Sequence, residues 1–204
     1  MKQFGFLLLF LFSLTNGLAQ DKVTLISGAV LDGKVVQVSD SLVNYEQQKK
    51  GRTKTRELDA YRVFSVEYAD GREVIVYEQD TALGNYFSKD EMRLFIMGEQ
   101  DASENYKGSK AFLVGLGLGI AGGLAIPESF LVVGVPVGST LLAMAPRIKI
   151  KPELARDRKL LSEPAYLLGF ERTARNKKIQ NILKGSVLGT ILSVVGYSIV
   201  NNNN

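Results

Sequence analysis

Residues 111–126 read AFLVGLGLGIAGGLAI, and the interpretation of the whole chain depends on this stretch. Gly115, Gly119 and Gly123 recur at every fourth position, so they share one face of a helix. In a soluble helix each glycine would cost about 0.5–1 kcal/mol relative to alanine. In an apolar membrane helix the same spacing lets two backbones approach closely. The stretch therefore predicts a membrane helix with a glycine packing face.

Two more apolar stretches repeat this four-residue spacing. One is the second half of the segment 109–146, and the other is the last apolar segment, residues 182–200, which we predict to be a C-terminal transmembrane helix. We predict that the glycines of all three stretches pack helices together: Gly115, Gly119, Gly123, Gly134, Gly138, Gly185 and Gly189.

Pro127-Glu128-Ser129 divides the segment 109–146 into two halves. Each half would form a helix of about 24 Å, which is shorter than a hydrocarbon core of about 30 Å. A tight helical hairpin and a single kinked span are therefore both open. We interpret Glu128 as part of a loop at a membrane face rather than as an acid within the membrane.

Charge is distributed unevenly along the chain. Residues 21–110 contain 13 Lys and Arg against 16 Asp and Glu, whereas residues 147–184 contain 11 against four. The formal net charge of +4 is thus produced by one local block. A basic block between apolar segments indicates membrane topology rather than nucleic-acid binding. The positive-inside rule favours one net crossing with the block in the cytoplasm, and we favour this arrangement although the segment lengths favour the hairpin.

The basic segment 147–181 also has a helical pattern. Tyr166, Phe170 and Ala174 lie four residues apart. We predict that the cations beside this apolar face meet anionic lipid headgroups: Arg172, Arg175, Lys177 and Lys178.

Residues 1–20 have the features of a signal peptide. Lys2 precedes an apolar core from Phe6 to Leu14, and small or polar residues follow. An uncleaved anchor is the alternative. The chain contains no cysteine, so a lipid-modified cysteine and disulfide bonds are excluded. We predict an exported, membrane-anchored protein of the bacterial inner membrane, with residues 21–80 in the periplasm.

Residues 21–80 form a predicted small β-domain. Phe64, Val66 and Tyr68 alternate with polar residues, and Asp70-Gly71 suits a two-residue hairpin turn. Gly33 suggests a bend or bulge, and residues 47–52 suggest a loop. Six short strands followed by helices predict an α+β fold, with a bent sheet or an SH3-like or Sm-like barrel. Its aromatic residues are interpreted as core rather than as a stacking platform: Tyr45, Tyr61, Phe64, Tyr68 and Tyr77.

Residues 81–108 form a predicted amphipathic helix with its linker. Ser88 and Glu91 match a capping box, and Met92, Phe95 and Ile96 follow at helical spacing. Paired carboxylates can serve as a general acid and base. We interpret this helix's three central acids as a solvated face instead: Glu99, Asp101 and Glu104.

The sequence predicts no catalytic, cofactor-binding or metal-binding residues, and no enzyme. Without His or Cys, catalytic triads, thiol chemistry and most zinc sites are absent. Gly117, Gly119 and Gly122 match the dinucleotide fingerprint, but no strand is predicted before them and no acid follows at the required distance. A slightly acidic, exported domain is also a poor partner for nucleic acid.

Several short motifs occur in a recognisable order. Residues 98–102 read GEQDA and residues 106–108 read YKG, and a glycine-rich stretch and Gly169-Phe170 with Lys177-Lys178 follow. The chain thereby resembles an uncharacterised family of exported Bacteroidota envelope proteins. The resemblance covers nearly the whole mature chain and implies a small β-barrel-like domain followed by glycine-rich membrane helices. It implies no activity.

Two hypotheses for function follow. The first is a membrane-anchored binding or scaffold module whose β-domain engages an envelope protein, a glycan or lipid. The second is a self-assembling pore or transport accessory protein, in which the glycine faces pack copies of the chain into a homo-oligomer. We favour the first, because a few short helices with a single acid offer little for an ion pathway.

Overall fold

A computed structural model describes residues 20–49, 51–82, 84–127, 129–144 and 148–202. Residues 1–19 of the predicted signal peptide and the predicted loop residue Glu128 lie outside these ranges. The chain divides into two compact units, one ending at Lys89 and the other beginning at Asp90.

The first unit is an antiparallel sheet of six strands in the order β4-β3-β2-β1-β5-β6. Both β4 and β6 are edges among the described strands, so the sheet is open. Of the two predicted alternatives, the SH3-like or Sm-like barrel is therefore wrong. The coarser prediction of an α+β fold is confirmed, because helices follow the sheet. The strands are β1 Asp21–Leu25, β2 Val30–Val38, β3 Leu42–Lys49, β4 Arg52–Asp59, β5 Val63–Glu67 and β6 Glu73–Ile75.

One face of this sheet, the inner face, carries the core. Val23, Val43, Val63 and Val66 are fully buried on it. No helix longer than a single 3-10 turn, Ala60–Arg62, is described in this unit. Partly buried side chains of the strands and of the segment after β6 pack against this core, for example Leu31, Leu58 and Val76.

The predicted aromatic core is confirmed in part. Tyr45, Phe64 and Tyr77 are buried, and the rings of Phe64 and Tyr77 lie 6.1 Å apart. Tyr68 packs against the core while partly exposed, but Tyr61 is 66% exposed and does not belong to the core.

The bend in β2 lies close to the predicted position. The register of β2 on β3 shifts between Val35 and Gln37, two residues beyond Gly33. Gly33 has a different role, because a Cβ there would lie 2.6 Å from the carbonyl oxygen of Glu46 and 2.8 Å from the Tyr45 ring. Only glycine lets these strands approach so closely.

Two turns differ from the sequence prediction. The amide of Tyr68 donates to the carbonyl oxygen of Arg72 at 2.9 Å, and Gly71 has φ of +85°. The turn is therefore a three-residue loop with glycine in the left-handed position, not a two-residue turn. The predicted loop at residues 47–52 is also wrong, because β3 continues to Lys49 and β4 begins at Arg52.

The described residues of the second unit form four α-helices: α1 Lys89–Asn105, α2 Ser109–Ala125, α3 Val135–Met144 and α4 Pro164–Asn202. Short 3-10 turns span Phe130–Gly134, Pro152–Leu154 and Arg158–Ser162. Met92, Phe95 and Ile96 are buried on α1, which confirms the predicted apolar face. Helix α4 runs unbroken for 39 residues, so the expected division between a basic segment and a terminal helix at residue 181 is absent.

Candidate functional site: a glycine-packed helical unit with exposed apolar faces

Helices α2 and α4 pack backbone against backbone. A Cβ added to Gly115 or Gly119 would collide with the carbonyl oxygen of Ile182 or Ser186, respectively. A Cβ added to Gly123 would instead collide with the side chain of Ser193. Because residue numbers rise together on both helices, α2 and α4 run parallel.

The contact is reciprocal. A Cβ on Gly185 or Gly189 of α4 would meet the carbonyl oxygens of Phe112 and Leu116 on α2. Five of the seven predicted packing glycines thus lie in one interface within a single chain. Dispersion contacts between closely packed helices stabilise such an interface without large side chains.

Helix α3 packs on the same pair in the opposite direction. Gly122 of α2 faces the side chain of Val135, and Ser139 of α3 lies 3.0 Å from the hydroxyl of Ser186. Gly134 and Gly138 differ from the other predicted packing glycines, since no atom among the described residues lies within 4 Å of a Cβ built on them.

The segment 109–146 is therefore a hairpin in the residues that are described. Helix α3 doubles back along α2, and residues 148–161 contribute to the same apolar cluster as α1 and the first half of α4. This geometry differs from the single kinked span that the charge distribution favoured. The positive-inside rule concerns the translocation of loops, whereas the packing of Ile148, Ile150 and Leu154 next to α1 reflects burial of apolar surface.

The burial pattern of α2, α3 and the second half of α4 is the reverse of the pattern in the core of a soluble protein. The buried positions are mainly glycine, alanine, serine and threonine, including Ala111, Ser139, Ser186, Thr190 and Ser193. Large apolar side chains of these helices and of the 3-10 turn Phe130–Gly134 point outward instead and are more than half exposed. They include Leu113, Val114, Leu124, Phe130, Leu131, Val133, Val137, Leu141, Leu142, Ile191, Leu192, Val195, Ile199 and Val200.

One described helix, Pro164–Asn202, is long and apolar enough to cross a membrane. Helices α1 and α2 reach the same criterion only as a pair bent by 64°. The sequence of residues 109–144 and 182–202 contains three charged residues, Lys110, Glu128 and Lys184. The apolar surface is thus nearly continuous.

The polar half of the unit is also held by glycine. A Cβ on Gly98 of α1 would collide with the carbonyl oxygen of Tyr166, and one on Gly169 of α4 would collide with that of Phe95. Around this contact Ala102, Tyr166, Phe170 and Ala174 are fully buried. The motifs GEQDA and Gly169-Phe170, far apart in sequence, therefore meet in the fold.

Asp101 is the centre of a buried polar cluster beside this contact. Its carboxylate accepts hydrogen bonds from the backbone amide and Nε of Arg156, at 2.9 and 2.7 Å, and from the hydroxyl of Tyr166 at 2.6 Å. Burial and the neighbouring carboxylate raise the pKa of Tyr166 well above its usual range, so the hydroxyl stays a donor. The cluster ties residues near Arg156 to both α1 and α4.

Glu99 is buried as well, on another side of α1. Its Oε1 lies 3.6 Å from Nη1 of Arg172, while its Oε2 has no hydrogen-bond partner among the described residues. Burial raises the pKa of Glu99, although the charge of Arg172 and a hydrogen bond from Thr173 lower it in part. The predicted solvated face is thus wrong for Glu99 and Asp101, and only Glu104 is exposed.

The four predicted lipid-facing cations already have contacts within the chain. Arg172 pairs with Glu99, and Arg175 pairs with Glu171 at 2.7 Å. Lys177 donates to the carbonyl oxygens of Ser103 and Tyr106, so it caps the C-terminal end of α1. Lys178 has a contact as well. These residues first of all hold α4 to its neighbours.

No described group of three or more acidic side chains could hold a metal ion. Gly117, Gly119 and Gly122 lie inside α2, and a helix rather than a strand precedes them, so their match to the dinucleotide fingerprint lacks its structural context. The unit offers packing surfaces and two buried carboxylates, each beside an arginine.

Protein-family models, curated proteins and solved structures were all compared with this chain, and none matches it. The polar cluster could not have been found from one sequence, because Arg156 lies 55 residues from its partner Asp101. The one feature of the sequence that pointed to this cluster was the motif GEQDA, in which acidic residues lie close to a glycine.

Proposed function

We propose that this chain is a membrane-anchored binding or scaffold module, in which the second unit is the anchor and the sheet is the part that engages a partner. One observation carries the proposal: glycine and serine line the interior of α2, α3 and α4, while leucine, valine and isoleucine lie outside. In water this arrangement would leave apolar surface unburied. In lipid it is the expected one, because helices associate there through small residues.

Helix length agrees with this proposal. The apolar part of α4, residues 182–200, is about 28 Å long at 1.5 Å per residue, close to a hydrocarbon core of about 30 Å. Exposed Lys110 and Lys184 lie in the first turns of the apolar parts of α2 and α4. The contacts of Gly115 with Ile182 and of Gly185 with Phe112 put the two lysines within about one helical turn of each other along the helix axes. We place the anionic headgroups there, where lysine is favourable.

The anchor is tested by adding charge to the exposed apolar face. In the double variant L192D/V195D, each aspartate would cost about 2.5–3.5 kcal/mol at the centre of a membrane span. We expect the wild type to resist alkaline extraction from membranes and this variant to be released or degraded. The matched control V36D/Y61D changes two comparably exposed positions of the sheet and should stay in the membrane.

Wild-type protein that is monodisperse in buffer without detergent would refute the anchor. So would a variant L192D/V195D that remains in the membrane like the wild type, because exposed positions of a soluble protein tolerate such changes within about 0.5 kcal/mol.

The self-assembling pore is supported less well. Its packing faces were expected between copies of the chain, yet Gly115, Gly119, Gly123, Gly185 and Gly189 already contact helices of the same chain. Only Gly134 and Gly138 keep an open face among the seven. A single detergent-solubilised monomer mass would count against this alternative.

A further inference from the structure

Strand β4 is a long and uncovered edge of the sheet. Among the described strands it pairs with β3 alone, and seven of its eight residues are exposed. An edge strand presents unpaired backbone amides and carbonyl groups to any other extended chain. Natural proteins keep such edges short, cover them or protect them with charged side chains, and β4 is both long and rich in charge.

The two faces of this edge carry charges of opposite sign. Leu58 pairs with core residue Val43, so β4 residues two, four and six positions earlier share the inner face with the core. These residues are Arg56, Lys54 and Arg52, and Lys49 of β3 lies opposite Arg52. The other face of the same hairpin carries the acids Glu46, Glu57 and Asp59.

None of the ion pairs described for this unit involves the four cations. On the inner face of β1 to β4, Asp21 is the one carboxylate among the described residues. Its oxygens already accept hydrogen bonds from the amides of Val35 and Ala69, at 2.7 and 2.8 Å. The row Arg52, Lys54 and Arg56 therefore presents three charges about 6.8 Å apart along a line, without compensation from its own sheet.

We infer that β4 is a docking edge for an acidic, extended segment of a partner protein, which adds to the sheet as a seventh strand. Carboxylates at alternate positions of that segment would lie beside Arg52, Lys54 and Arg56, while its backbone pairs with β4. Threonine or basic residues would occupy the alternate positions, next to Thr53, Thr55 and Glu57. This inference rests on the proposed function in one respect, that the sheet is the part that binds.

Other occupants fit these observations less well. A second copy pairing along β4 would bring Arg and Lys of both chains to one face, and like charges on adjacent strands repel. Nucleic acid would need aromatic stacking surfaces, but Tyr45, which shares this face, is buried. An anionic lipid surface would have to approach the same face of the sheet that carries the buried core.

The full chain in uncharged detergent micelles provides the test. The probe is the fluorescent peptide Thr-Glu-Thr-Glu-Thr-Glu-Thr, and its isomer with four Thr followed by three Glu has the same composition. Alternation should make the first peptide bind at least about tenfold more tightly, because only it places every carboxylate beside a cation. Two further peptides carry N-methyl groups on either all Glu amides or all Thr amides. One of these two peptides should lose binding and the other should keep it, because alternate amides of a strand point to the same edge and only one set can pair with β4.

Two matched variants locate the binding site. R52Q/K54Q/R56Q should lose at least about tenfold in affinity for the alternating peptide. K151Q/R158Q/K159Q removes the same charge from exposed positions of the second unit and should bind like the wild type.

The inference would be overturned if the alternating peptide did not bind at low salt, or if the block peptide or dextran sulfate bound as tightly as it does. It would also be overturned if the chain bound only anionic vesicles. A wild-type oligomer that the variant R52Q/K54Q/R56Q dissociates would overturn it as well. The anchor is judged by membrane extraction and the docking edge by peptide affinity in micelles. Failure of one is therefore distinguishable from failure of the other.

Discussion

At the scale of residues, the two buried carboxylates of α1 are the main departure from the sequence prediction. A polar stretch of helix ordinarily faces water, and the spacing of Met92, Phe95 and Ile96 defined one narrow apolar side. The structure buries a broader part of α1, because α4 packs on it through Gly98 and the Asp101 cluster adds a polar contact with Arg156. Asp101 is compensated by three hydrogen bonds and Glu99 only in part.

This difference predicts a pH-dependent stability that Glu99 controls. A carboxyl group with a raised pKa binds more protons in the folded than in the unfolded state, so stability is lost as pH rises from about 4.3, the ordinary value for Glu, through the raised value. In the variant E99Q this loss should be absent. Thermal unfolding of wild type and E99Q in micelles between pH 4 and pH 8 measures the difference.

Arg172 supplies the internal control for Glu99. Its charge lowers the pKa of Glu99 in part, so the variant R172Q should raise that pKa further and steepen the decline in stability above pH 4. Profiles of wild type and E99Q that remain parallel over this range would contradict the assignment.

At the scale of elements, residue spacing predicted which residues share a face of a helix, but not which other element packs against that face. The four-residue glycine spacing of α2 and α4 coincides with their mutual contact, whereas the same spacing at Gly134 and Gly138 faces open space among the described residues. Spacing defines a face of one helix, but a second element decides whether that face is covered. The three-residue turn at Gly71 and the β3–β4 hairpin were missed for a similar reason, since strand pairing extended beyond the apolar residues.

Two neighbouring glycines of α2 give opposite predictions. In G115A the new methyl group would collide with the backbone of α4 at Ile182, so we expect a loss of about 1–3 kcal/mol. In G117A nothing among the described residues lies within 4 Å, and the better helix propensity of alanine should add up to about 1 kcal/mol.

Unfolding in mixed detergent micelles measures both changes. Equal effects of G115A and G117A would show that helix propensity, and not contact between α2 and α4, sets the stability of this unit.

At the scale of the whole molecule, the class α+β and a C-terminal helix able to span a membrane could be predicted from the sequence, because composition and periodicity are local properties. Closure of the sheet could not, since it depends on whether β4 meets β6 across the whole unit. The direction of α3 depends likewise on contacts such as that of Ser139 with Ser186, 47 residues apart.

The hairpin predicts the topology of the anchored chain. With α3 returning beside α2, the sheet and residues 148–181 should lie on one side of the membrane, and the C-terminal end of α4 on the other. Because the chain has no cysteine, single variants E78C, R158C and N202C can be labelled one at a time. An impermeant maleimide applied to sealed vesicles should modify the first two together and N202C only from the opposite side.

Each variant should react fully once detergent opens the vesicles. Labelling of R158C from the side opposite to E78C would refute the hairpin within the membrane and restore a single crossing by residues 109–146.

The parallel contact of α2 with α4 also has a consequence for biosynthesis. The partners of Gly115, Gly119 and Gly123 all lie between Ile182 and Ser193, 67 to 70 residues further along the chain. During translation α2 and α3 therefore emerge long before the surface that completes their packing exists. A nascent chain, or one truncated before Ile182, would present these exposed glycines to the insertion machinery or to a chaperone until α4 has been synthesised and covers them.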